Sequence, residues 1–256
     1  MVNFFKYQGT GNDFVIVDDR SKTFPVSQGL ISKICSRRFG IGADGLILLQ
    51  NHSEFDFQMI YFNSDGAESS MCGNGGRCIV AFAKHLGIIN EKTNFLAIDG
   101  AHEAVINDEV VSLKMSDVLE VEEGDDYYYL NTGSPHYVSF TDDVAQLSLV
   151  EDARKIRYNS RFKLEGTNVN YVASLNDGIK VRTYERGVED ETLSCGTGVT
   201  ACAIASFLKI NNDQDQWTVE TEGGELEVSF DVVNTSFTNI WLTGKAVLVY
   251  KGMYAL

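Results

Sequence analysis

The sequence predicts an α/β (α+β) fold of two pseudo-symmetric lobes, each a curled, mostly antiparallel sheet or barrel around one central helix. Three observations predict it. First, Met71-Cys72-Gly73-Asn74-Gly75-Gly76-Arg77-Cys78 and Ser194-Cys195-Gly196-Thr197-Gly198-Val199-Thr200-Ala201-Cys202 both carry Cys-Gly-x-Gly. The register extends upstream: Tyr61 and Tyr184 each lie eleven residues before their cysteine, Glu68 and Glu191 each four before, all at one offset of 123 residues. Second, each motif opens an apolar run that reads as a helix buried nearly all round. Third, short alternating segments separated by glycine and asparagine turns flank both helices, the pattern of hairpins wrapped on a helix. The two cysteines are expected to face each other across one substrate in the cleft between the lobes.

Taken in order, residues 4–8 and 14–17 read as strands around the glycine turn Gly9-Thr10-Gly11-Asn12-Asp13. Asn12 either caps that turn or reaches a ligand. Ser27 caps a helix expected to run to about Phe39, where Gly40 stops it. Gly40-Ile41-Gly42-Ala43-Asp44-Gly45 then leads into a strand. The order helix, glycines, strand excludes a dinucleotide loop, which needs a strand first and a helix after. Residues 55–62 read as a strand ending in the turn Asn63-Ser64-Asp65-Gly66. The first motif helix ends at Gly87, and strands follow around 94–98, 102–106 and 110–115.

Residues 115–126, acidic and poor in large apolar side chains, read as the crossing between lobes. Residues 127–130 form a strand, and Asn131-Thr132-Gly133-Ser134-Pro135-His136 a polar turn feeding a strand over 137–140. One or two short helices are expected in 142–158 and strands over 169–174 and 179–184. Glu165-Gly166-Thr167-Asn168 repeats the Gly11-Asn12 pattern. The second helix spans about 197–208, and four strands close the chain, with Gly223-Gly224 as a hairpin turn.

The 256 residues suffice for two lobes that each bury a core. A net charge of -15 repels nucleic acid and anionic membrane. Five cysteines, no basic-then-apolar leader and no apolar stretch near the ~18 residues of a membrane span point to a cytoplasmic protein with reduced thiols.

A cysteine at a helix start faces unpaired backbone N–H groups and the positive end of the helix dipole, which favour a thiolate or a substrate carboxylate. Glycine at the next position lets a ligand approach the backbone. The histidines form no repeated Cys/His pattern, which argues against a papain-like nucleophile. Cys72 and Cys78 are poorly spaced for a redox pair or a zinc knuckle. Proton transfer at a stereogenic carbon fits two thiols: one thiolate removes a proton from one face and the opposite thiol delivers one to the other. Cys78 and Cys202 lie deeper in apolar helices and read as structural, as does Cys35. Glu68 and Glu191 support the motif loops or lie on the surface. His136 lines the cleft or packs. Asn63 and Asn168 are ligand candidates, and Arg186 is a candidate for holding an anionic group.

Six motifs now stand in one order along the chain: Gly11-Asn12-Asp13-Phe14, Asn63-Ser64-Asp65-Gly66, the run from Cys72 to Cys78, Gly133-Ser134-Pro135-His136, Tyr184-Glu185-Arg186-Gly187 and Cys195-Gly196-Thr197-Gly198. Together they resemble the diaminopimelate epimerases, cofactor-independent amino-acid epimerases of lysine and cell-wall synthesis, over essentially the whole chain. The resemblance implies an isomerase that interconverts LL- and meso-2,6-diaminopimelate, with Cys72 and Cys195 as the alternating base and acid. Asn12 would hold the reacting amino-acid end. Gly73 and Asn74, with Gly196 and Thr197, would give main-chain donors to its carboxylate. Asn63, Asn168, Glu185 and Arg186 would hold the distal end. It implies no pyridoxal phosphate, metal or nucleotide, and a homodimer. It further implies lobes of residues 1–116, joined by a returning tail 245–256, and 117–244. Ser134 stands where the family usually has asparagine, and Gly45 where many members have glutamine. A racemase of another amino acid, a non-catalytic amino-acid-binding protein and a redox sensor built on the two cysteines are the alternatives.

Overall fold

The computed structural model describes residues 1–210 and 214–256. They divide into two compact units, Met1–Leu113 with Gly244–Leu256, and Lys114–Thr243.

In the first unit β1 (Val2–Gly9) and β2 (Asn12–Asp18) form an antiparallel hairpin. Thr10 and Gly11 lie between them at φ 52° and 83°. Two successive positive φ values are what a tight hairpin matched to strand twist demands, and glycine accepts the second without strain. The helix α1 (Gln28–Cys35) returns the chain to β3 (Gly45–Gln50), parallel to β2. β4 (Phe57–Asn63) runs antiparallel to β3. The helix α2 (Gly73–His85) then crosses to β5 (Lys92–Ala97), parallel to β4. The antiparallel strands β6 (Gly100–Asn107) and β7 (Val110–Lys114) follow.

The second unit repeats this connectivity. β8 (Val121–Glu123) pairs with β9 (Tyr127–Asn131), which forms an antiparallel hairpin with β10 (Pro135–Phe140). A single 3-10 turn, Val144–Gln146, and α3 (Leu149–Arg157) lead to β11 (Asn168–Leu175), parallel to β10. β12 (Gly178–Glu185) is antiparallel to β11, and the short β13 (Asp190–Thr192) folds back on it. The helix α4 (Gly196–Ile210) crosses to β14 (Gln216–Thr221), parallel to β12. β15 (Gly224–Val233) and β16 (Ser236–Lys245) continue antiparallel. Finally β17 (Val247–Tyr254) pairs with β1 in the first unit, as β8 pairs with β9 in the second.

Among the described residues the strands pair mostly antiparallel in an open sheet, and the four crossings made by helices join parallel pairs. In the first unit the pleat sorts the core. Val15, Val17, Leu46, Leu48 and Phe62 face α1, with Ile31 and Ile34 against them. On the opposite face, Phe14, Ile47 and Met59 approach α2 at Gly75. Strands covered on both faces need continuous apolar runs, and Leu46 to Leu49 are all fully buried. In the second unit α3 packs with Val169, Tyr171 and Tyr184. Phe207 of α4 meets Phe230 and Phe237 edge-on at 5.7 Å each.

Four local expectations change. The helix after Ser27 ends at Cys35 rather than near Phe39. The chain turns back there, and Ile41, Gly42 and Ala43 donate to the carbonyls of Ile34 and Cys35. His136 is not in a turn: it lies in β10, paired with Leu130, and is fully buried. The stretch 115–126 contains β8, and the connection before Cys195 contains β13. Both are three residues long and acidic, and neither alternates.

Candidate active site

The two cysteines hold the same place in their units. Cys72 is the N-cap of α2, with extended backbone (φ −92°, ψ 133°), and its sulfur caps no backbone N–H. Its carbonyl takes the first helical bond, from Gly76 N at 2.7 Å. The Cys195 carbonyl takes the same bond from Val199 N at 2.8 Å. Helix geometry therefore leaves the N–H groups of Gly73 to Gly75, and of Gly196 to Gly198, without intrahelical acceptors beside a half-buried sulfur. Each start carries the partial positive charge that stabilises an anion.

The other cysteines are excluded by burial. Burial pushes the Cys35 thiol up to about 12, with smaller effects from nearby charges. It also pushes Cys78 up to about 12 and Cys202 well above the usual thiol range.

Around Cys72 the structure brings together Asn12, Asn74, Thr10, Asp44 and Arg77. Asn12 Nδ2 donates to Asp44 Oδ2 at 2.6 Å. Its Oδ1 accepts from Asn74 Nδ2 at 3.4 Å and from the Cys72 thiol at 3.6 Å. Arg77, fully buried in α2, donates to Thr10 Oγ1 at 2.6 Å and Asn74 Oδ1 at 2.9 Å. Its Nε is buried without an acceptor among the described residues. A guanidinium there is costly to bury and adds a fixed positive charge behind the helix start. Behind Asn12, Asp13 takes an ion pair from buried Lys6 at 2.8 Å and hydrogen bonds from Arg37 at 2.8 and 3.0 Å.

Around Cys195 the structure brings together Thr197, His136, Asn170 and Thr132. Thr197 Oγ1 is 3.4 Å from Cys195 Sγ and 2.9 Å from His136 Nε2. Asn170 Nδ2 donates to His136 Nδ1 at 3.1 Å and to the Tyr137 carbonyl at 3.0 Å. Thr132 Oγ1 donates to the Thr197 carbonyl at 2.8 Å. Burial drives the His136 pKa down to about 3; the Asn170 hydrogen bond opposes this and the Arg186 charge adds to it. His136 is thus neutral across the physiological range. Gly198 is required by close approach: a Cβ there would lie 2.6 Å from Asn170 Oδ1.

A second cluster in this unit holds three more of the candidates. Asn168 is buried, and its Nδ2 donates to Ser134 Oγ and the Pro135 carbonyl, both at 2.9 Å. Its Oδ1 accepts from the Arg186 backbone N–H at 2.9 Å. The exposed Arg186 guanidinium donates to the Glu165 carbonyl at 3.0 Å. Glu185 is half-buried at the end of β12, opposite Asp190.

The remaining candidates lie outside these clusters. Asn63 is exposed at the end of β4, opposite Gly45. Glu68 is exposed and bridges to Phe62 through its backbone. Glu191 is clamped by Arg182, Nε to Oε1 and Nη2 to Oε2, both at 2.7 Å. Sequence reasoning gave no role to Arg77, Asp44, Thr10 or Asn170. Two of these carried a signal: Arg77 is a charge just ahead of the apolar run Cys78 to Ala83 of its helix, and Asn168-Val169-Asn170 places two asparagines on one strand face.

A family model described as diaminopimelate epimerase matches residues 4–118 and 128–249. The diaminopimelate epimerase of Flavobacterium psychrophilum is 52% identical over 253 residues, covering 98% of this chain and 99% of its own. That of Aquifex aeolicus is 40% identical over 273 residues, covering 98% and 97%. Among solved structures, a phenazine biosynthesis protein of the PhzF family from Bacillus anthracis superposes with a TM-score of 0.79 at 14% identity, covering 100% of this chain and 99% of its own. A hydroxyproline epimerase from Agrobacterium vitis, with bound trans-4-hydroxy-L-proline, gives 0.69 at 13%, covering 98% and 91%. At those identities the superpositions speak for the fold alone, whereas the sequence matches run the length of the chain: it belongs to the diaminopimelate epimerase family.

Proposed function

We propose that this protein interconverts LL- and meso-2,6-diaminopimelate by two-base proton transfer, with Cys72 and Cys195 on opposite faces of one α-carbon. The observation that carries the reading is the matched pair of half-buried cysteines at the starts of α2 and α4, in a chain 52% identical to a diaminopimelate epimerase. The thiolate takes the α-proton as the opposite thiol delivers its own to the other face. The configuration inverts, and the two sulfurs exchange protonation states. The negative charge that develops on the α-carbon delocalises into the adjacent carboxylate. The N–H groups of Gly73 and Asn74, with those of Gly196 and Thr197, stabilise that charge as it forms. Asn12 orients the reacting end. Asn63, Asn168, Glu185 and Arg186 hold the distal amino acid, with Ser134 reaching it through Asn168. The enzyme works without a cofactor, as a cytoplasmic homodimer; among the described residues no helix is long and apolar enough to cross a membrane.

The test is α-proton exchange followed by NMR. Reduced protein in D2O is given LL-diaminopimelate and, separately, proline, glutamate and lysine. Deuterium at the α-carbon of diaminopimelate and appearance of the meso form, both lost in Cys72→Ala and in Cys195→Ala, are expected. Exchange with a different amino acid would keep the mechanism and overturn the substrate. Absence of exchange with all four would overturn both.

A further inference from the structure

The loop that carries Glu185 and Arg186 is held in place by Glu189. The Glu189 N–H donates to the Glu185 carbonyl at 2.8 Å, so the chain makes one tight turn straight out of β12 with residues 186–188 at its tip. Two residues of the turn have positive φ, Gly187 at 95° and Glu189 at 59°. A non-glycine residue keeps that backbone only where its surroundings over-determine it.

Here the surroundings are five donors to one carboxylate. Glu189 Oε1 accepts from Gly187 N at 3.2 Å and from Arg157 Nε and Nη2 at 3.2 and 3.0 Å. Its Oε2 accepts from the hydroxyls of Tyr158 and Tyr184 at 2.9 and 3.0 Å. Burial raises the Glu189 pKa, but the hydrogen bonds from Gly187, the two tyrosines and Arg157 outweigh it and hold the carboxyl below its usual range. The donors come from the turn itself, from the end of α3 and from β12, where Tyr184 is fully buried. Leu149 and Ala153 of α3 pack in one core cluster with Tyr184. A single carboxylate thus ties an exposed turn to two elements anchored in the core.

The same carboxylate sorts two neighbouring cations. Gly166, at φ 78°, lies under both Arg186 and Arg157: a Cβ there would be 2.7 Å from Arg186 Cδ and 2.9 Å from Arg157 Cζ. Two like charges against one glycine repel each other and compete for the same anion. Glu189 takes Arg157, whose side chain is 12% exposed, into an ion pair. The exposed Arg186 guanidinium donates to the Glu165 carbonyl, which cancels no charge.

We propose that Glu189 is a positioning residue for the distal end of the substrate: it fixes the turn that presents Arg186 and withdraws Arg157 from competition for the same carboxylate. The proposal deepens the epimerase reading and rests on it for the roles of Glu185 and Arg186. It makes Glu189 a determinant of substrate affinity rather than of proton transfer.

The test is Glu189→Gln in the full chain, which keeps the shape and removes the charge, assayed with LL-diaminopimelate. The interaction lost is made equally in the ground state and the transition state, so KM is expected to rise roughly tenfold while kcat stays within about threefold. Arg157→Lys keeps the charge, loses the planar fork and is expected to raise KM in the same direction. A second readout needs no turnover: hydrogen exchange at the Arg186 and Gly187 amides of the substrate-free protein, followed by NMR, should quicken roughly tenfold in Glu189→Gln. A folded Glu189→Gln with unchanged KM, or with kcat lowered and KM unchanged, overturns the proposal. So do unchanged amide exchange rates in that variant. Should Glu189→Gln not fold, an unchanged KM in Arg157→Lys overturns it. The unaltered protein separates the two readings. Turnover of diaminopimelate with KM and amides unmoved in the variant sinks only this proposal. No turnover by the unaltered protein, with the amides quickened in the variant, sinks the epimerase reading and leaves the turn held by Glu189.

Discussion

Asn12 and Asp44 are joined by a 2.6 Å hydrogen bond that decides which end of the Asn12 amide meets Cys72. Asp44→Ala frees that amide to turn. The expected result is a fall in kcat/KM of roughly 10- to 100-fold, the range that misorientation of a reacting group produces. Stability should change little, because the Asp44 side chain is 41% exposed. Epimerisation followed by NMR and a urea unfolding curve on the same preparation check both parts.

Asp13 ties the first hairpin to its neighbours. Burial raises its pKa, but hydrogen bonds and charges from Arg37 and Lys6 outweigh that and hold it near 2. A carboxyl held below its ordinary value contributes stability that is present above the unfolded pKa of 3.8 and is lost as pH falls through about 2. Asp13→Asn leaves Lys6, which is 5% exposed, without its partner charge. The expected cost at neutral pH is about 3 kcal/mol. The gap between variant and parent should narrow toward pH 2, which equilibrium unfolding at both pH values measures directly.

Gly75 and Gly198 are the same glycine of the repeated motif, and their surroundings differ. A Cβ at Gly198 would sit 2.6 Å from Asn170 Oδ1 and 3.3 Å from His136 Cε1, whereas at Gly75 the nearest atoms are side-chain carbons at 3.4 and 3.5 Å. Gly198→Ala should therefore lose about 1–3 kcal/mol to overpacking. Gly75→Ala should be near neutral, since a gain in helix propensity of about 0.8 kcal/mol offsets mild crowding. Equal losses in thermal unfolding of the two variants would contradict the asymmetry.

Cys202 is fully buried and its thiol is held protonated by burial. Cys202→Ala is expected to keep epimerisation within a few-fold and to cost about 1 kcal/mol for the lost sulfur. In the parent protein, iodoacetamide should modify Cys72 and Cys195 and leave Cys35, Cys78 and Cys202 untouched until the chain unfolds.

The motif helices and most strands were legible because their signals are local. An all-round apolar run ending at Gly87 needs no partner to read as a buried helix, and Thr10-Gly11 between alternating segments reads as a hairpin turn. The strands β8 and β13 were not legible, since Val121-Glu122-Glu123 and Asp190-Glu191-Thr192 owe their conformation to neighbouring strands. The same holds in the site. The cysteines announce themselves through the repeat. The burial of His136 depends on Asn170 and Thr197, 34 and 61 residues away, and the place of Arg77 on Thr10, 67 residues away. A polar residue in a polar stretch gives no sign that the fold will dry it.

The pairing of β1 with β17 sets Val2 opposite Tyr254. The first unit is therefore split in sequence, and the second is continuous. On the ribosome the strands of Lys114–Thr243 are all in hand before β17 emerges. The second unit can close while β1 still lacks a neighbour on one side, so the order of synthesis and the order of completion are reversed. A β1 edge held open that long is a template for other strands until β17 pairs with it.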